Sequence, residues 1–181
     1  DGSTTDNDAL NVTIANYVPA TTPTIVNVEA INLAGEFTTS GLALTNVIGT
    51  KTVTMTASIV GSTGTVIDAA ASKAATISAG TNIGTLAVTA ATAGTGGSVA
   101  IDGGAATSIT ATGGAAADTF VVTSNTTAST VSLVGGAGAA VLDAFTLNTN
   151  GGTRSLNTDT GGLINTLTFN NTGAATTLTL V

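Results

Sequence analysis

The chain has 181 residues, 43 % of them hydrophobic but only 3 % aromatic and 7 % charged, with a net charge of −7. It contains neither Cys nor His, which excludes disulfides, thiol chemistry, imidazole bases and zinc sites built from those ligands. Three scattered basic residues offer no phosphate-binding surface, so nucleic acid is not an expected partner.

The apolar residues are mostly Ala, Val, Leu and Ile, a set that suits thin layers in which backbones approach closely. A charge fraction far below the roughly 25 % of an average domain leaves solvation to Thr, Ser and Asn. Such a surface suits contact with neighbours, because few charges need desolvating. No apolar run reaches the roughly 18 residues of a membrane-spanning helix, so no membrane insertion is expected.

Taken in order, the apolar positions recur at two rather than at 3.6, the period of strands. Leu10, Val12 and Ile14 open the series, followed by Val26 and Val28, Ile31 and Leu33, and Leu42 and Leu44. Val53, Met55, Ala57 and Ile59 come next, then Leu86 and Val88, Val99 and Ile101, and Phe120 and Val122. Val131 and Leu133, Phe145 and Leu147, Leu167 and Phe169, and Leu178 and Leu180 complete it. One helical turn is expected at most, over Ala69 to Lys73. Turn clusters separate the runs, among them Gly61 to Gly64, Gly103-Gly104, Gly113-Gly114, Gly135-Gly136, Gly151-Gly152 and Gly161-Gly162. The segment from Pro19 to Pro23 reads as a loop, because proline lacks the ladder donor. Residues 1–23 are thus expected to be a leading strand and loop, and residues 24–181 the main body. The last residues, TTLTLV, stop in mid-strand, so a longer chain is expected.

The fold class is all-β. Strand centres about 11 residues apart fit a sandwich or barrel, and equally a solenoid with two or three short strands per coil. Glycine-paired turns, missing aromatics and short ladders of like residues such as TVTMTASIV favour a parallel β-helix or β-solenoid, with a β-sandwich as the alternative.

The N-terminal GSTTDNDALNVTI, the segment TIVNVEAINLAG (Thr24 to Gly35), GGAAADTFVV (Gly113 to Val122) and GGAGAAVLDAF (Gly135 to Phe145) together carry a likeness. The chain resembles bacterial S-layer proteins exported by type I secretion, with degenerate nonapeptide repeats of the RTX kind. The resemblance implies a parallel β-helical body, an extracellular place at the cell surface, and calcium-assisted assembly with copies of itself. Asp118 matches the aspartate of the nonapeptide, and Asp8 matches it in the first repeat, with Asp6 nearby. Asp143 stands about three positions from where the motif has its aspartate, and Ala140 takes that place.

The residues themselves also admit calcium, a hard cation that takes six to eight oxygens from carboxylates, carbonyls and water. Asp6 and Asp8 lie two apart in an acidic leader, and Asp102 and Asp118 would meet if their turns stack. The competing role for each aspartate is to cap its own turn through a backbone N–H. Glu29 and Glu36 could serve as a carboxylate pair for glycoside hydrolysis. Sugar platforms are scarce, however, and a serine hydrolase has no His partner, so no enzyme is expected. Lys51, Lys73 and Arg154 are expected to pair with a neighbouring subunit or with another strand's Asp. The sequence therefore predicts a structural subunit of a self-assembling surface array or filament, with calcium, copies of itself and cell-surface polysaccharide as candidate partners. An adhesin-like binding module and a polysaccharide-active β-helix enzyme are the alternatives.

Overall fold

A computed structural model describes residues 6–14, 23–37, 41–70, 76–91, 96–126, 128–136, 143–158, 164–174 and 176–180. Among them there is no helix, and 17 strands wind into a solenoid in which every ladder is parallel.

Eight strands form one wall: β1 (Ala9–Ile14), β3 (Ala30–Gly35), β6 (Thr52–Ala57), β8 (Thr76–Ala79), β10 (Ser98–Asp102), β12 (Thr119–Ser124), β14 (Asp143–Thr149) and β16 (Ile164–Asn171), stacked in that order. The facing wall has seven: β4 (Leu42–Ala43), β7 (Ser62–Ala69), β9 (Ile83–Ala90), β11 (Ser108–Thr112), β13 (Ala128–Val134), β15 (Gly152–Thr158) and β17 (Thr176–Leu180). The short strands β2 (Ile25–Val26) and β5 (Val47–Ile48) pair at one corner. Stacked residues are separated by 21 to 25 positions, so each coil holds one strand of either wall. This parallel stack removes the sandwich alternative, whose sheets are antiparallel.

The period-two alternation is what makes this work, since successive side chains point to opposite faces of a strand. Ile31, Val53, Ile77, Ile101, Val122 and Leu147 stack in one inward row, and each is buried. Leu86, Ile109, Val131 and Leu156 form the opposing row. Phe120 and Phe145 stack inside, with ring centroids 5.1 Å apart and planes 7° from parallel. Burying each such side chain stabilises the fold by about 1.5–3 kcal/mol.

The glycine pairs fit a close approach. Gly135-Gly136 lies over Gly113-Gly114, continuing the register of Thr112 on Val134. A Cβ on Gly136 would overlap the carbonyl oxygen of Gly114, and a Cβ on Gly114 that of Ala91. Neither glycine has positive φ, so the requirement here is space, whereas Gly104, Gly151 and Gly152 do sit at positive φ.

Several local expectations are corrected. Ser62 to Gly64 belongs to β7 rather than to a turn. Ile59 lies past the end of β6 and is exposed. Ala69, where a helical turn was expected to begin, ends β7, and Ala71 to Lys73 lie outside the described residues. So does most of the Pro19 to Pro23 segment. β1 pairs with β3 over six residues as the outermost rung of the larger wall.

Candidate functional site

Four acidic residues stand at the start of strands of the larger wall: Asp8 before β1, Glu29 before β3, Asp118 before β12 and Asp143 at the head of β14. Asp118 precedes β12 and Asp143 opens β14, and the two stack. Asp118 accepts the Gly114 N–H of its own coil at 2.8 Å and the Gly97 N–H of the coil below at 3.1 Å. Asp143 repeats the clamp, accepting the Gly136 N–H at 2.7 Å and the Asp118 N–H at 2.8 Å. Asp143 is only 1 % exposed. The interval from glycine to acid is four residues in one case and seven in the other. The three extra residues that displace Asp143 in the sequence therefore leave its task unchanged. Asp102, the last residue of β10, accepts the Gly104 N–H at 3.0 Å and the Asn125 side-chain amide at 3.3 Å. All three aspartates thus perform the turn capping that stood beside metal binding as their alternative role.

Asp102 and Asp118 do not meet. Asp102 stacks on Thr123, at the far end of β12 from Asp118. Strands rise about 3.3 Å per residue, so the two acids are held roughly 16 Å apart. The stack joins Asp118 to Asp143 instead. Glu29 and Glu36 are likewise divided by the whole of β3, roughly 23 Å at the same rise. That span exceeds the roughly 5–9.5 Å between the carboxyls of a glycosidase, so this pair cannot flank one glycosidic bond.

Among the described residues one acidic cluster forms. Asp6, Asp8 and Glu29 each present a carboxylate oxygen within 4.8 Å of the others. Glu29 sits one coil after Asp8, is buried, and accepts the Asp8 backbone N–H at 3.1 Å. Asp6 Oδ1 is buried without a hydrogen-bond partner. Three carboxylates, one of them with an unpartnered oxygen, are of the kind that calcium takes into its oxygen-rich, partly protein-supplied shell. Sequence reading missed Glu29 here because the 21-residue interval to Asp8 has meaning only once the coil length is known.

Arg154 turns inward from β15 and is 0 % exposed, contrary to the expectation that it reaches a subunit or an Asp. Its Nη2 donates to the Ser124 carbonyl at 3.2 Å and its Nη1 to the Thr153 carbonyl at 3.1 Å, while Nε has no partner. Burial holds its pKa below the usual arginine value. Beside it the Ser124 and Ser129 hydroxyls share a hydrogen bond of 2.8 Å.

An open groove of about 730 Å³ runs along the corner between β8 and β9, lined by Val60, Ala79, Asn82, Ile83 and Ala105 among others. No acidic or basic side chain lines it. No protein-family model matches the chain, and no curated protein or solved structure matches it.

Proposed function

We propose that the chain is a structural subunit of a self-assembling extracellular array, S-layer-like or filamentous, whose assembly calcium assists. The observation that supports this best is the outer surface of the solenoid. Thr63, Thr85, Ser108, Thr130 and Ser155 stack in one outward row of the smaller wall. Ala30, Thr52, Thr76, Ala100, Val121, Thr146 and Thr168 stack in an outward row of the larger wall. Neither row holds a charge. Flat parallel walls of short hydroxyl and methyl groups can be covered by another wall without desolvating ions. The same hydroxyl rows suit hydrogen bonds to cell-surface polysaccharide.

Asp6, Asp8 and Glu29 are the residues that would hold a calcium ion. Neutralising the cluster would let a second acidic surface approach. Asp102, Asp118 and Asp143, engaged with backbone N–H groups, serve the coil that an assembly needs. In this role the protein is not an enzyme.

The test is electron microscopy of the purified chain with calcium and with a chelator. Sheets or fibres are expected with calcium, dispersing in chelator, and Asp6→Asn with Asp8→Asn should remove that dependence. Dispersed monomers in both conditions would overturn the reading.

A further inference from the structure

A buried charge is ordinarily paired, because taking it out of water costs more than a single hydrogen bond gives back. Arg154 is fully buried, and among the described residues its acceptors are the Ser124 and Thr153 carbonyls. Carbonyls bring no net charge, and the Nε–H has no acceptor at all. An arginine does not escape by releasing its proton, as a buried lysine does. Arg154 therefore keeps a charge that no described carboxylate balances. The space beside it is of one chemical kind. An open groove of about 370 Å³ is lined by Thr107, Ser129, Thr130, Thr153 and Ser155, and each of these carries a hydroxyl. Thr153 and Ser155 flank Arg154 along β15, and Ser129 is its partner on the neighbouring rung, about 4.8 Å away. Ser129 joins the two features. It lines the groove, and its hydroxyl shares a hydrogen bond with that of Ser124, whose carbonyl accepts from Arg154 Nη2.

We propose that this groove binds a tetrahedral oxyanion, sulfate or phosphate, as the counter-charge of Arg154. Hydroxyls donate hydrogen bonds to an anion, and no carboxylate lines the groove to repel one. The donors come from three successive coils, so they suit an ion with acceptor oxygens on several sides. A halide would leave most of the groove unfilled. The attraction of Arg154 acts across one rung, and a buried charge is screened far less than an exposed one. In a chain of net charge −7, an acid-free groove beside a buried cation is where a negative ion meets the least repulsion. The same oxyanion exists free in solution and as an ester on a polysaccharide, and the open mouth of the groove admits both.

The test titrates the full chain with sodium sulfate in calcium-free buffer at fixed ionic strength, sodium chloride making up the balance, and follows backbone amide NMR shifts. Saturating shifts are expected at Thr107, Ser129, Thr130, Thr153 and Ser155. Arg154→Met keeps the bulk of the side chain and removes its charge, a replacement that buried ionic sites tolerate. It should bind sulfate about tenfold more weakly or worse, the loss expected for one interaction with a charged group. Thr130→Val with Ser155→Ala changes outward side chains alone, so it probes the groove even where the first variant fails to fold, and it too should weaken binding. Dextran sulfate and plain dextran separate the two sources. Saturation by the free ion assigns the groove to a soluble oxyanion, and saturation by the sulfated polymer alone assigns it to an esterified one. Shifts that never saturate with either, or that spread evenly over surface amides, would overturn the proposal. Sulfate bound as tightly by Arg154→Met, or by the double variant, would overturn it as well.

Discussion

Asp143 shows how much one buried carboxylate can hold. Its two oxygens accept N–H groups from two coils, Gly136 and Asp118. Hydrogen bonds to a charged group contribute about 1.5–3 kcal/mol each. Asp143→Ala is therefore expected to cost about 3 kcal/mol or more, and Asp143→Asn about half of that, because the amide keeps one acceptor. Urea unfolding midpoints of the two variants check the order, and equal midpoints would contradict the two-coil clamp. Arg154 is the opposite case, a buried cation that donates to two carbonyls while its Nε has no partner. The sequence could not announce it. Arg154 alternates with Leu156 as a core residue would, but a charged residue is ordinarily read as outward. The capping aspartates were legible as turn residues, whereas the Asp6, Asp8 and Glu29 cluster depends on a coil length that no single stretch reveals.

Among the strands, legibility follows side-chain size. Where two large apolar residues, Leu, Val, Ile, Met or Phe, occupied the inward phase, as in β1, β3, β6, β12 and β14, alternation alone located the strand. β8, β11 and β15 were not picked out, because Ala79, Ala111 and Arg154 take inward places beside single large residues. In β7 Gly64 stands at an inward position, where Met55 and the Leu86 side chain fill the space beside it, and so it read as a turn. Gly103-Gly104, Gly113-Gly114 and Gly135-Gly136 were read correctly as corners, whereas Gly152 opens β15 and Gly161-Gly162 lies outside the described residues; Gly113, Gly114 and Gly136 are there for proximity rather than for unusual dihedrals. Gly136→Ala follows from that distinction. Its Cβ must displace the backbone of the coil below, an overpacking cost of about 1–3 kcal/mol. A melting temperature unchanged from the parent would show that the corner has slack.

For the molecule as a whole, stability is a sum over nearest neighbours, because each coil touches only the coils above and below. Composition conveyed this scale best. Few aromatics, few charges and evenly spaced glycine corners leave little besides a stack of thin layers.

Stacking has a consequence for length. Ser98 lies directly on Thr119 and Gly97 on Asp118, so residues 98 to 118 are one complete winding. Excising them would splice Gly97 to Thr119 and bring the Gly97 N–H to Asp143 in place of the Asp118 N–H. The shortened chain is expected to fold with its ultraviolet strand signature intact and a correspondingly smaller hydrodynamic radius. A polymer built on such windings can be lengthened or trimmed by whole units, like a measuring rod cut at its graduations, without redesigning what lies on either side of the cut.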